Sequence, residues 1–565
     1  MINNDIRRVL LWSVFAVSLL MLWDGWLRHT GHPSLFEPAA PAAAPASQAA
    51  SGVAGAVASV PSAATSLEGT PGATASAPAG TTPAVTPSEV LTVSTDVLKV
   101  SIDTLGGSVV RAEMLQHRAS GEGSGNMVLF DRSAAKTYVA QSGLIGQASG
   151  DVPNHLTPFK AVTSARELAK GQDALVLTLE SDPVGGVVLR RTYTFPRGAY
   201  LVQVRQEVLN QGAAAISPQL YVQLVRDGSL IHEGPDVWGA PQSYTGPAFY
   251  TPEAKFQKVA FEDIQKNDAE FQKTSQEGWV AMVQHYFTSV WLKPEAMARE
   301  FFARSQPGNL YAVGMLFPVG EVAPGASRSL DTQLYMGPQE EMKLKEIAEG
   351  LELVKDYGWT HLLAKPLFWL LFHIHNLVGN WGWAIVLLVV LLKAAFYTLN
   401  ASAYRSMAKM KALNPRIQAL RESLKDNPQQ MQQEMLKIYR EEKVNPIGGC
   451  LPILIQIPVF IALYWVLLSS VEMRNAPWIG WITDLSIKDP YYVLPLLMTA
   501  STLLQTWLNP TPPDPLQAKL MWIMPLMFSV LFFFFPAGLV LYWLTNNLLS
   551  IAQQWYINRS LGVVH

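Results

Sequence analysis

The sequence predicts a polytopic α-helical membrane protein with about six spanning helices, carrying a large antiparallel β-sandwich outside the membrane. Its 565 residues have positive mean hydropathy and only 15% are charged, which is too long for one domain and too apolar for an ordinary soluble chain. Apolar runs of bilayer-crossing length occur near the start and through the last third. Between them lie short alternating runs with the period of two that marks strands. A formal net charge of −2 argues against direct nucleic-acid recognition, whose footprint is a strongly basic domain. The single cysteine, Cys450, rules out an intramolecular disulfide and a cysteine-rich metal site.

Residues 1–28 read as an amino-terminal transmembrane anchor. Arg7 and Arg8 precede an apolar stretch from Val9 to about Leu27 and keep the start in the cytoplasm. That stretch exceeds the apolar region of a cleaved signal peptide, usually about 7 to 15 residues, so the anchor is expected to stay attached. Residues 29–87 are mostly Ala, Pro, Ser, Thr and Gly, which bury too little apolar area to offset backbone ordering, so this segment is a disordered tether. Residues 88–337 contain LTVSTDVLKVSID, ALVLTLE, VVLRRTYTF, YLVQVRQEVL and LYVQLV, with Gly, Asn and Pro between them. They form the expected sandwich.

Residues 338–382 come next, with Leu344, Ile347, Leu351 and Val354 at helical spacing. Leu362 to Val378 is apolar but interrupted by Lys365, Pro366, His373 and His375. A span here would put the basic stretch 404–443 outside, against the positive-inside rule. These residues are therefore expected to form amphipathic, interfacial helices on the outer surface, with Trp369, Trp381 and Trp383 in the interfacial belt.

Five further spans are expected, at 383–400, 446–471, 491–508, 518–535 and 539–557, the last two joined by a tight turn at Pro536 to Gly538. With both termini inside, the sandwich and the loop 472–490 lie outside. The segment 401–445, the Pro-rich loop 509–517 and the tail 558–565 lie inside. Residues 401–445 read as a helical hairpin broken at Asn427-Pro428, with Met410, Leu413, Ile417, Leu420 and Leu424 on one stripe. Its basic residues orient the neighbouring helices; a sharper reading has them contact ribosome, targeting receptor or anionic headgroups.

Lys393 interrupts the apolar run AIVLLVVLLKAAFYTL. A charge within a span costs roughly 2.5 to 3.5 kcal/mol on insertion scales, so it normally faces water, protein or a substrate path. Counting depth at about 1.5 Å per residue, Gln456 falls near the middle of its helix. Thr502, Gln505, Thr545, Asn546, Asn547, Ser550, Gln553 and Gln554 fall in inner halves, whereas outer ends carry Phe532 to Phe535 and IALYWVLL. The expectation is a hydrophilic recess open to the cytoplasm and closed toward the outside. The plainer reading is that the ammonium snorkels to headgroups and that each amide is interhelical glue worth about 0.6 kcal/mol.

The later spans hold no Asp or Glu within their apolar bodies, His373 and His375 are an isolated pair, and no phosphate-cradling loop exists. Neither an enzyme nor a cofactor or metal is expected. Two alternative readings are a secondary transporter of a small anion at Lys393 and an envelope-assembly scaffold acting through the β domain.

VNPIGGCLPILIQIPVFIALYWVLLSSVEMRNAPW, SMAKMKALNPRIQALRE, DPYYVLPLLM and FPAGLVLYWLTNN resemble the YidC/Oxa/Alb membrane-protein insertase family, most closely its Gram-negative bacterial branch. TDVLKVSIDTLGGSVV and GWVAMVQHYF extend the likeness to the outer domain. The resemblance implies a five-helix insertase core in the bacterial inner membrane and a periplasmic sandwich. It implies an insertase and chaperone that inserts and folds nascent inner-membrane proteins, alone or with the Sec translocon. Groove-lining positions of the family match Lys393, where well-known members carry Arg, and Gln456, Phe460, Tyr542, Trp543 and Asn546. Implied partners are nascent membrane proteins, the Sec translocon with its accessory subunits, ribosome and targeting receptor at the hairpin, and the lipid bilayer. The tail RSLGVVH lacks the basic extension that some relatives use to hold ribosomes, so docking through it is not expected.

Overall fold

The structure is a computed structural model that describes residues 88–119, 125–133, 136–146, 152–229, 243–424, 427–442, 451–508 and 515–560. The expected anchor and tether, Cys450 and most of the tail lie outside the described residues.

Among the described residues the period-two runs become two packed antiparallel sheets. One sheet has ten strands, eight of them in the spatial order Val90–Ser94, Leu98–Asp103, Ser108–Arg118, Thr137–Ile145, Gln219–Asp227, Leu310–Pro318, Arg299–Gln306 and Thr274–Ser275. The other has nine, in the order Lys255–Lys258, Gly246–Thr251, Trp279–Val283, Phe287–Leu292, Ser327–Pro338, Leu201–Asn210, Val187–Pro196, Ala174–Ser181 and Phe159–Ala161. Alternation in sequence appears as alternation in burial: Val202, Val204 and Val208 face the core while Gln203 and Arg205 are exposed. Between the sheets, fully buried Arg191 donates to the carbonyls of Gly106, Gly107 and Ser142 at 2.7, 3.0 and 2.9 Å, which satisfies a cation removed from water. A short helix α1 (Phe261–Gln265) packs Phe261 and Ile264 inward.

After the sandwich, α2 (Glu341–Ile347) and a tight turn at Leu351–Val354 lead to α3 (His361–Val378). In α3, Ala364, Phe368, Leu371 and Ile374 are buried, while Leu362, Trp369 and Leu377 are exposed, so the helix is apolar on both faces. Gly379, with φ +69°, ends α3, and the Asn380 side chain accepts from the Trp383 N–H at 3.1 Å to start α4 (Trp381–Ala395). Helical geometry lapses at Phe396 (φ −91°, ψ 11°), and α5 (Tyr397–Ser423) begins directly afterwards. Asn427 caps α6 (Pro428–Glu441), and Arg416 of α5 pairs with Glu442 at 3.2 Å, closing the hairpin. Then come α7 (Leu451–Ser469), α8 (Val493–Leu508), α9 (Pro515–Leu531) and α10 (Ala537–Ser560). In the bundle α7 packs along α3, α10 packs against α4 and α8, and α9 rests on α8.

Among the described residues no helix is long and apolar enough to cross a membrane. Within the described residues α4, α8 and α9 have 15, 16 and 17 residues, and the 24 residues of α10 include a polar half. Helix length therefore does not carry the expected count of about six spans. α9 also stops at Leu531, leaving Phe532 to Phe535 as a non-helical turn.

Sandwich and bundle interlock. Val471, just beyond α7, is part of the sandwich core, and Tyr357, just beyond the sandwich, is part of the bundle core.

Candidate functional site

Helices α4, α7 and α10, with the start of α5, line a partly open cavity whose empty volume is about 420 Å³. Val389, Leu392, Phe396 and Val459 supply apolar walls. Lys393, Asn400, Gln456, Tyr542 and Asn546 supply polar groups.

Lys393 Nζ donates to Ser550 Oγ at 2.7 Å. Ser550 in turn donates to the Asn546 carbonyl at 2.7 Å, so its hydroxyl proton is committed and its lone pairs are left to receive the ammonium. Two further N–H donors of the ammonium have no protein acceptor among the described residues, and no carboxylate there pairs with it. The Gln456 amide donates to Asn546 Oδ1 at 2.6 Å. The cavity thus holds an uncompensated cation and amide groups between apolar walls, the arrangement that favours an acidic or strongly polar guest.

One turn beyond Gln456 the character changes. Phe460 stacks on Tyr542 at 6.0 Å and meets Trp543 edge-on at 4.3 Å. Trp543 lies 5.5 Å from Phe532, and Phe532 meets Phe535 at 5.6 Å. This aromatic layer adjoins the cavity at Tyr542. Of the six residues singled out in the sequence, Lys393, Gln456, Tyr542 and Asn546 line the cavity, whereas Phe460 and Trp543 stand beside it and meet it through Tyr542.

The other polar residues of α10 do not all join them. Asn546 and Ser550 are four apart and share a face, whereas Asn547 is rotated by about 100° from Asn546. Asn547 donates to Thr502 Oγ1 at 2.9 Å and Ser501 Oγ at 3.3 Å, and Gln554 donates to the Leu508 carbonyl at 3.4 Å. Thr545 bonds its own helix at the Leu541 carbonyl. The single recess expected from depth is therefore corrected to two polar sets, one lining the cavity and one joining α10 to α8. Gln553, on the Asn546 face by helical angle, has a buried amide without a partner among the described residues.

Asn400 and the direct role of Ser550 were not singled out. Asn400 lies seven residues after Lys393, a helical-face spacing that was available as a signal. His373 bonds the Trp369 carbonyl at 2.8 Å and His375 stacks on Trp381 at 3.9 Å. Among the described residues, no three His, Cys, Asp or Glu stand together as metal ligands.

Two family models match the chain, one described as the YidC periplasmic domain over residues 90–370 and one as 60Kd inner membrane protein over residues 373–562. The chain is similar to proteins named membrane protein insertase YidC. That of Cupriavidus metallidurans is 53% identical over 567 residues, covering 99% of this chain and 98% of the relative. That of Ralstonia nicotianae is 52% identical over 560 residues, with the same coverage of 99% and 98%. Among solved structures it is similar to one described as an active YidC insertase crystal structure with the first transmembrane domain resolved. That likeness has a TM-score of 0.39 and 18% identity, covering 83% of this chain and 94% of that one.

Proposed function

The chain belongs to the YidC family of membrane protein insertases, and we propose that it inserts and folds nascent inner-membrane proteins by receiving their hydrophilic segments in the Lys393 cavity. The observation that carries this reading is an ammonium facing a cavity between three helices, held by a serine hydroxyl with no carboxylate beside it among the described residues. A polar segment entering hydrocarbon loses its hydrogen bonds to water, which is the main barrier to its passage. The cavity lowers that barrier with replacement partners: Lys393 attracts acidic residues, and Gln456 and Asn546 exchange their mutual hydrogen bond for bonds to the guest. Burial of the client's apolar helix in lipid then drives the step forward. Phe460, Tyr542 and Trp543 stop the recess short of a through-channel.

In this reading the anchor, α4, α7, α8, α9 and α10 are the six spans, with both termini cytoplasmic and the sandwich periplasmic. α3 lies on the outer surface with Leu362, Trp369 and Leu377 in lipid. The protein acts alone or with the Sec translocon and its accessory subunits. The α5–α6 hairpin meets ribosome and targeting receptor. No enzymatic step or cofactor is involved.

The small-anion transporter shares Lys393 but requires a second opening past Phe460 and Trp543. Purified protein reconstituted alone into liposomes tests the two. A short client with an acidic translocated segment should become protease-protected, whereas saturable anion uptake without client insertion would overturn the insertase reading.

A further inference from the structure

We propose that Lys355 and Glu472 form an electrostatic clamp that sets the position of α7, the helix bearing Gln456 and Phe460, from outside the cavity. The importance of the clamp for insertion rests on the insertase reading, and its geometry does not.

Lys355 sits in the linker between sandwich and α3, and its side chain is wholly buried at 0% exposure. Its Nζ lies 3.1 and 3.4 Å from the two carboxylate oxygens of Glu472, and 3.7 Å from the Phe368 ring centre on α3. Glu472 belongs to the single turn Val471–Met473 that follows α7. Residues around that turn are gripped from the same side. His285 Nε2 donates to the Leu468 carbonyl at 3.0 Å, and Ser469 Oγ donates to the Asp356 carbonyl at 2.9 Å. Arg474 donates to the Arg118 carbonyl at 2.6 Å and lies over Tyr286. Thus the last turn of α7 is held by the sandwich and the linker.

The inner half of α7 is held less: Ala462 to Ser470 are buried on every face, whereas Gln456 to Ile461 are half-buried or exposed and meet α10 through Gln456 with Asn546 and Phe460 with the aromatic layer. A helix fastened over its outer half is placed by those fastenings, so a displacement at Glu472 is carried to Gln456. A buried ion pair suits this role because both charges are satisfied in one arrangement only, and removal of either partner leaves the other stranded. Lys355 and Glu472 are therefore positioning residues that act through α7.

The test uses full-length protein in nanodiscs and liposomes with Lys355→Glu, Glu472→Lys and the double charge swap. Each single change should raise backbone hydrogen exchange in residues 466–474 by at least about tenfold and lower insertion of a polar-segment client. The swap should restore both. If a reversal fails to fold, Lys355→Met and its combination with Glu472→Leu replace it, with the same expectation of loss and recovery. Unchanged exchange in the single variants would overturn the clamp. Raised exchange with unchanged insertion would overturn its positioning role. Failure of the unaltered protein to insert any client would instead count against the insertase reading, with exchange still deciding the clamp.

Discussion

The Gln456 side-chain amide donates to Asn546 Oδ1 across 2.6 Å, tying α7 to α10 at the level of Lys393. The bond places two residues separated by 90 positions in one cavity wall and gives that cavity a polar floor below an aromatic layer.

Water access should follow this division. In a Cys450→Ser background, cysteines at Gln456 and Asn546 are expected to react with a membrane-impermeant thiol reagent added from the cytoplasmic side. Cysteines at Leu463, which is 1% exposed, and at Phe533 should react poorly. Equal labelling at all four positions, or labelling only from the periplasm, would contradict the proposed topology.

The aromatic closure makes a separate prediction. Phe460→Ala removes an edge-on contact with Trp543 at 4.3 Å and a stacked contact with Tyr542. Each such contact is worth about 0.5 to 1.5 kcal/mol beyond its buried area. Labelling of a cysteine at Leu463 should then rise about tenfold, since 1.4 kcal/mol corresponds to that factor. Phe460→Leu should raise it less. No change with Phe460→Ala would show that other groups keep water out.

Much of this architecture was legible in the sequence, for identifiable reasons. Sandwich strands announced themselves because a side chain alternates faces at every residue, as in Leu201–Asn210. The pairing order of those strands was not legible, since Leu201–Asn210 joins Ser327–Pro338 across more than a hundred residues. Depth along a helix pointed to Lys393, Gln456 and Asn546, whereas Phe460, Tyr542 and Trp543 came only from family resemblance. Rotation of α10 decided which of Asn546 and Asn547 meets the cavity, and sequence sets the angle between them without setting the angle to neighbours. The break at Phe396 had no Gly or Pro to mark it. Lys355 and Glu472 were hidden by a separation of 117 positions and by the look of the linker charges as a solvated helix face.

Gly358 gives a stability prediction at the junction. Its φ is +55°, and an added Cβ would stand 2.8 Å from the Trp465 ring of α7. Gly358→Ala combines a left-handed backbone with a clash, so a loss of about 1 to 3 kcal/mol is expected by denaturant or thermal unfolding in detergent. A change below about 0.5 kcal/mol, the usual range for neutral surface positions, would contradict it.

His285 makes the junction sensitive to acid. Burial lowers its imidazole from 6.5 to about 4, and its neutral ring donates to the Leu468 carbonyl. Between those values a released His285 binds a proton that the docked one does not, so docking is fully stable above about pH 6.5 and weakens as pH falls toward 4. The total loss is at most roughly 3 kcal/mol. Hydrogen exchange at residues 466–474, followed from pH 7 to 4 and corrected for intrinsic rates, should accelerate beyond the intrinsic trend. His285→Gln should flatten that response, and an identical pH response in both proteins would remove His285 as its cause.

The charge at Lys393 is the most direct test of the proposed function. Lys393→Arg, Lys393→Ala and Lys393→Glu are expressed at matched levels during depletion of a host's own insertase, and protease protection is scored for clients with acidic or neutral translocated segments. Lys393→Arg should retain insertion because it keeps the cation, Lys393→Ala should impair the acidic client selectively, and Lys393→Glu should be worst because it reverses the field. Full insertion of the acidic client by both Lys393→Ala and Lys393→Glu would contradict the electrostatic role and leave Lys393 as a headgroup anchor.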